Sequence, residues 1–186
     1  AIDYGFAAPF AALWAAMSPE GNIFLYRELY GAGYQPEDQA RAIIDAEIAA
    51  EDGKISGRYA DPSCWQKDRE HGTQRCVAEI YAKNGVLCTP ANNARISGKM
   101  RIHQALKYDR HPETGAILRY PEMRVFSNCK NLIQILPTLP PSKLNPEDVD
   151  NSVDVEDHIF DAAKYLMLAT PSKPGLAVTQ HTSRLR

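Results

Sequence analysis

The first 31 residues confine the fold more tightly than any other stretch. "AIDYG", "PFAALWAAM" and "IFLYRELY" are three strand-like runs, broken at Gly5, turned by "SPEGN" and closed at Gly31. Connections this short join antiparallel neighbours, whereas parallel strands need a long crossover. The chain therefore opens as a three-stranded meander, and the period then changes. Residues 35–51 read as a helix, with Pro36, Glu37 and Asp38 at its start and Ala40, Ile43, Ile44 and Ile48 as one apolar stripe. "KISGRYADPS" reads as a strand ending at Asp61-Pro62, and a strand reached through a helix pairs parallel. A helix over 66–84 follows, with Cys76, Val77, Ile80 and Tyr81 inward and Asn84-Gly85 as its stop. "VLCTP" reads as a short buried strand and 92–108 as a third helix. This order predicts an α/β domain: a mixed β-sheet of three antiparallel strands then parallel strands, with helices on both faces.

The later chain adds smaller pieces. "AILRYPEMRVFSN" predicts two short strands around Pro121, "CKNLIQIL" a short helix, and "PTLPPSKLNP" a connection over the surface. A last helix begins in "DVEDHIFDAAKY" and stops before Pro171. One domain over 1–170 is expected, with residues 171–186 as a flexible tail. The four cysteines form no C-x-x-C pair and read as reduced core residues rather than zinc ligands. A net charge of -2 leaves no global electrostatic footprint for nucleic acid, so any such footprint is local. No apolar run approaches the roughly 20 residues that cross a bilayer, so no membrane partner is expected. Opening directly on a strand, without an initiator methionine, the chain reads as a domain cut from a longer polypeptide.

Carboxylates carry the chemistry. Asp3 interrupts an apolar strand, and an aspartate there needs a partner or a turn to cap with Gly5. Asp61 ends the first parallel strand, where α/β sheets place their sites, although Asp before Pro is also a common turn. If that strand pairs with the first, the two become neighbours. In the last helix Asp157 and Asp161 are four apart and share a face with His158 beside them, on one flank of the stripe formed by Val155, Ile159, Ala162 and Leu166. Capping explains an acidic helix start but not Asp161, which lies too deep. Three carboxylates from three elements, Asp3, Asp61 and Asp161, repel unless a cation lies between them, and oxygen ligands suit Mg2+ or Mn2+. Two such ions support in-line displacement at a phosphodiester. Asp157 and His158 are the further candidate ligands.

Between Arg95 and Lys143 the balance turns basic. Arg95, Lys99, Arg101, Lys107, Arg119 and Arg124 are candidate phosphate contacts, and Arg95, Lys99 and His103 share one side of a helix. "HPETG" reads as a hairpin tip able to reach over bound DNA. Lys67 and Arg69 read as surface residues, and His71, His111 and His181 take no role.

The strand order and these carboxylates resemble the ribonuclease H-like nucleases. "AIDYG", "GRYADPS", "GKMRIHQAL", "EMRVFSNCKNLIQILPTL" and "PEDVDNSVDVEDHIFDAAKYLML" together resemble the C-terminal nuclease domain of the tailed-phage terminase large subunit. The most specific part is Asp157, His158, Asp161, Ala162 and Tyr165, with Lys164 where the family often has Arg. The resemblance implies a metal-dependent endonuclease that cuts concatemeric double-stranded DNA during genome packaging in the host cell cytoplasm. It also implies an upstream packaging ATPase domain and contacts with portal and the small terminase subunit. "NARISGKM" imitates the end of a phosphate-binding loop, but the first Gly is missing and Met100 replaces the Ser or Thr, so no ATPase activity is expected here. Rival expectations are a junction resolvase or strand transferase on the same fold, and a packaging interaction module without catalysis.

Overall fold

The computed structural model describes residues 1–49, 53–67, 75–143, 145, 147–150, 152 and 156–171. β1 (Ile2–Asp3), β2 (Phe10–Met17) and β3 (Ile23–Gly31) form the antiparallel meander, with Asp3 opposite Ala11 and Ala11 opposite Tyr30. The turn at Gly5 is too tight for a side chain: a Cβ there would stand 2.5 Å from the Ala8 and Pro9 carbonyl oxygens. Helix α1 (Pro36–Ala49) leads to β4 (Tyr59–Ala60), which runs parallel to β1 with Ile2 opposite Ala60. A 3-10 turn (Pro62–Trp65), α2 (Val77–Lys83), β5 (Thr89–Pro90) and α3 (Arg95–Ala105) follow. The hairpin β6 (Asp109–Arg110) and β7 (Ile117–Arg119) precedes β8 (Met123–Val125), α4 (Lys130–Ile135) and α5 (His158–Ala169). The main sheet has the order β5-β4-β1-β2-β3-β8, with β4, β5 and β8 parallel to their neighbours.

Alternation along β2 sorts the core onto two faces. Ala11, Leu13, Ile23 and Leu25 pack with Ile102 of α3, Leu132 of α4 and Ile159, Phe160 and Ala163 of α5. On the other face Ile2, Phe10, Ala12 and Trp14 pack with Ala40 and Ile43 of α1 and with Tyr81 of α2. Asp3 follows the buried Ile2 on β1 and so points to the α5 side.

Several expected elements are shorter or differently placed. The "KISGRYADPS" strand contracts to two residues, because the Asp61 carboxylate accepts from the Ser63 N–H (2.6 Å) and winds Pro62 onward into the 3-10 turn. "VLCTP" is not a buried strand: Val86 is buried, but the ladder is the exposed pair Thr89–Pro90 at the sheet edge, where the missing proline N–H costs no ladder bond. The third helix spans 95–105 rather than 92–108. In the stretch expected as a helix over 66–84, the helix among the described residues begins at Val77. The pairing of β8 with β3 extends the sheet beyond the expected meander. Residues 50–51 of the first expected helix, the segment 68–74 with Arg69 and His71, Val155 and the tail from 172 lie outside the described residues.

Candidate metal centre

The β1–β4 pairing brings the two strand aspartates together. The Asp61 N–H donates to the Ile2 carbonyl (3.0 Å), setting Asp61 beside Asp3 at the C-terminal ends of two parallel strands. Helix α5 crosses above them. His158 Nδ1 lies 3.0 Å from Asp3 Oδ2, and the Tyr165 hydroxyl donates to Asp61 Oδ2 (2.9 Å). Residues 158 and 165 are one heptad apart and so share a helix face.

Asp3 is only 4% exposed, and burial pushes its carboxyl up to about 7. The hydrogen bond from His158 pulls the other way, while Asp161 and Asp61 add to the rise. That bond to Asp3 also holds the His158 imidazole above its ordinary value, against its own burial. Burial alone would raise Asp61 too, but the Ser63 N–H and the Tyr165 hydroxyl together bring it below the usual carboxylate value. Asp61 is thus both the cap of a turn and a carboxylate of the site.

The helix carboxylates sit differently. Asp161 accepts from Lys164 Nζ (3.0 Å) and from Arg95 Nη1 (3.1 and 3.2 Å to its two oxygens). Asp157 stands at the N-cap of α5 but makes no side-chain capping bond; its carboxylate takes Arg95 Nη2 at 3.0 Å. Arg95 also reaches Asp148 through Nε (3.3 Å). Lys164 is fully buried, bonds Asn93 Oδ1 (2.8 Å), and lies against Gly98, where an added Cβ would stand 2.1 Å from Lys164 Cγ. Burial nonetheless holds the Asp161 carboxyl above its ordinary value, against the pull of Lys164 and Arg95. Lys164 stands three residues after Asp161 on the same helix, a spacing visible in the sequence, whereas Arg95 is brought there from α3 by packing between helices.

The expected DNA contacts divide. The Arg95 guanidinium faces carboxylates, and Lys99 Nζ donates to the Asp148 carbonyl (3.1 Å). Arg101 is 8% exposed and forked onto Glu122, which leaves its guanidinium no open face for phosphate. Lys107 is exposed, Arg119 is exposed but paired with Asp109 (2.8 Å), and Arg124 lies over the rings of Phe24 and Tyr120. "HPETG" is the tip of the β6–β7 hairpin, with Gly115 at a φ of 68°.

Among the described residues, no three His, Cys, Asp or Glu side chains form a ready-made metal cage. Asp3 and Asp61 nevertheless fit a hard cation. Mg2+ commonly keeps several waters and takes only one or two protein carboxylates. Burial, with Asp161 and Asp61 nearby, raises the Asp3 carboxyl to about 7 despite the His158 bond, a cost that a cation beside it would offset.

A mixed sheet opened by a meander, extended by parallel strands, and crossed by a late helix over strand-end aspartates is ribonuclease H-like. Among solved structures the chain is similar to the large terminase of a thermophilic bacteriophage, at 16% identity and a TM-score of 0.64, covering 89% of this chain and 37% of that one. It is similar to the P22 large terminase nuclease domain at 15% identity and a TM-score of 0.59, covering 90% and 77%. The large terminase nuclease domain of bacteriophage SPP1, solved with bound Mn, matches at 13% identity and a TM-score of 0.57, covering 88% and 81%. The resemblance thus extends over about nine-tenths of this chain, which spans under two-fifths of the thermophilic phage's protein. No protein-family model and no curated protein sequence matches it.

Proposed function

We propose that the chain is the nuclease domain of a viral genome-packaging terminase, a DNA endonuclease that depends on Mg2+ or Mn2+, with two ions per site. The observation that carries this reading is the Asp3–Asp61 pair at adjacent strand ends, on the fold of terminase nuclease domains. The Mn bound in the SPP1 nuclease domain supports the choice of ion. Divalent ions, when bound, would stabilise the attacking and leaving oxygens of a phosphodiester in in-line hydrolysis. The chain's own residues orient that site. His158 fixes one oxygen of Asp3, Tyr165 and Ser63 fix Asp61, and Lys164 with Arg95 hold Asp161 against the cluster. Asp161 is proposed as the third catalytic carboxylate, with Asp157 and His158 as auxiliary ligands.

The substrate is double-stranded DNA, met through a basic flank that includes Lys107, Arg119 and Arg124, with Arg95 and Lys99 nearer the acids. Domain 1–170, an upstream ATPase domain in the full protein, portal and small-subunit partners, and work in the host cell cytoplasm complete the proposal. The test is incubation of supercoiled plasmid with Mg2+, Mn2+ or EDTA. Cutting with either ion and none in EDTA is expected; no cutting with any divalent ion overturns the reading. A second reading, an interaction module without catalysis, draws on one observation: both helix carboxylates are already neutralised by Arg95 and Lys164. It requires DNA or partner binding with no cutting under any of these conditions.

A further inference from the structure

Two cations serve the helix carboxylates, and they are held in opposite ways. The Lys164 ammonium is fully buried, bonded to Asp161 and Asn93, and its stem lies against Gly98 of α3, so it has no room to move away. The Arg95 side chain is 21% exposed and projects from the first residue of α3. Its fork meets three carboxylates: Nε donates to Asp148 (3.3 Å), Nη1 to both oxygens of Asp161, and Nη2 to Asp157 (3.0 Å). One of the two counter-ions is therefore locked into the packing, and the other reaches the acids from the solvent side.

A guanidinium and a divalent cation want the same oxygens here. Mg2+ holds its ligands at about 2.0–2.1 Å, well inside the 3.1 and 3.2 Å that separate Arg95 Nη1 from the two Asp161 oxygens. An ion on those oxygens would stand next to the guanidinium, and like charges that close repel strongly away from bulk water. Lys164 cannot yield, so the yielding falls to Arg95. What Arg95 gives up can be replaced, because its planar fork matches a phosphate as well as it matches a carboxylate. It does not let go without a replacement, since Asp157 and Asp161 are only 13% and 14% exposed and would be left poorly hydrated.

We infer that Arg95 is an exchangeable counter-ion: it yields Asp157 and Asp161 to a divalent cation and takes a DNA phosphate in their place. Without metal the guanidinium stays on the acids and adds nothing to DNA binding. With metal it is released towards the substrate, so metal and DNA each favour the binding of the other through one side chain, and that coupling is reciprocal. The inference rests on the metal-nuclease reading above.

Mn2+ is titrated by calorimetry without DNA into wild type, Arg95→Gln, Arg95→Lys, Asp61→Asn and Arg41→Gln. Arg41 is an exposed arginine of α1 paired with Asp38, and its variant gives the effect of losing one surface charge. Arg95→Gln is expected to bind Mn2+ about fivefold or more tighter than Arg41→Gln, the lower end of coupling between sites. Arg95→Lys keeps the charge but not the fork. It should fall between wild type and Arg95→Gln, and it carries the test if Arg95→Gln does not fold. The second readout is binding of duplex DNA in EDTA at several salt concentrations, where Arg95→Gln should keep the wild-type salt slope. A slope shallower by about 0.9, one phosphate contact, puts Arg95 on DNA without metal and overturns the exchange. Mn2+ affinity no tighter than that of Arg41→Gln, in whichever Arg95 variant folds, also overturns it and makes Arg95 a clasp between α3 and α5. Wild type that binds no Mn2+, or binding that Asp61→Asn leaves unchanged, overturns the reading of the site and this inference with it.

Discussion

The site is made of two unlike halves. On the strand side, Asp3 and Asp61 have neutral or titratable partners: an imidazole, a phenol and a backbone N–H. On the helix side, Asp157 is bonded to the Arg95 guanidinium, and Asp161 to both Arg95 and the Lys164 Nζ. One half is short of positive charge and the other already holds it. A cation arriving at the site therefore gains most from the strand pair, while a ligand role for Asp161 has to compete with two side chains. The contrast separates the carboxylates within one cluster: the strand pair has no fixed counter-charge, and the helix pair would have to share Arg95 and Lys164 with any cation.

The largest effects should come from the three carboxylates proposed as catalytic, the strand pair and Asp161. Asp3→Asn and Asp61→Asn are each expected to lower plasmid cleavage by about a thousandfold or more with the fold intact, while Asp157→Asn and His158→Ala lower it by about 10–100-fold. Asp161→Asn is expected to abolish cutting; if instead Asp157→Asn is inactive and Asp161→Asn cuts normally, the essential carboxylate of the helix half is Asp157. Next in size is the buried ammonium. Lys164→Met keeps most of the volume but leaves Asp161 with Arg95 alone. A loss of about 2–3 kcal/mol in urea unfolding is expected, below the ~3–5 of a buried ion stripped of its sole partner. Unchanged stability would mean that Arg95 suffices and that the halves differ less than their geometry implies.

The smallest effect is read from pH. The folded state holds the Asp3 proton up to about 7, above the ordinary carboxylate value of 3.8, so it binds more protons than the unfolded chain between those values. Stability in EDTA should therefore fall as pH rises from about 4 to 7. The raised His158 adds to the same slope, since its contribution is present below its ordinary 6.5 and is lost as pH rises through its higher folded value. Asp3→Asn should flatten the slope and lift the thermal midpoint at pH 7.5, by about 2–4 °C for each kcal/mol recovered in a chain of this size. A midpoint that instead rises with pH over this window would contradict the uncompensated state of the strand half.

How much of this was legible in the sequence divides along the same line. The Asp3–Asp61 neighbourhood is half legible: short turns force the meander and a crossover calls for a parallel partner, but that β4 pairs with β1 rather than another strand is settled only in the fold. The flank of α5 that carries Asp157, His158 and Asp161 follows from helical spacing alone. What charge meets those side chains does not. Arg95 and Lys99 look the same on a helical wheel whether they face phosphate or acid, and here they are turned towards the segment around Asp148. Arg101 reads as surface charge until Glu122 is brought to it by the approach to β8.

Gly98, which in the sequence imitates part of a nucleotide-binding loop, belongs to a different logic. With an alanine there, the new methyl would overlap the aliphatic stem of Lys164, so helix α3 or the ammonium would have to shift. Gly98→Ala alters no formal charge and touches no carboxylate. Even so, it would act as an electrostatic substitution, because it would displace the counter-ion of Asp161 from the inside of the protein. Sequence drift at a position two helices removed from the strand pair is thereby tied to the ionic balance of the carboxylate cluster, through the absence of a single carbon.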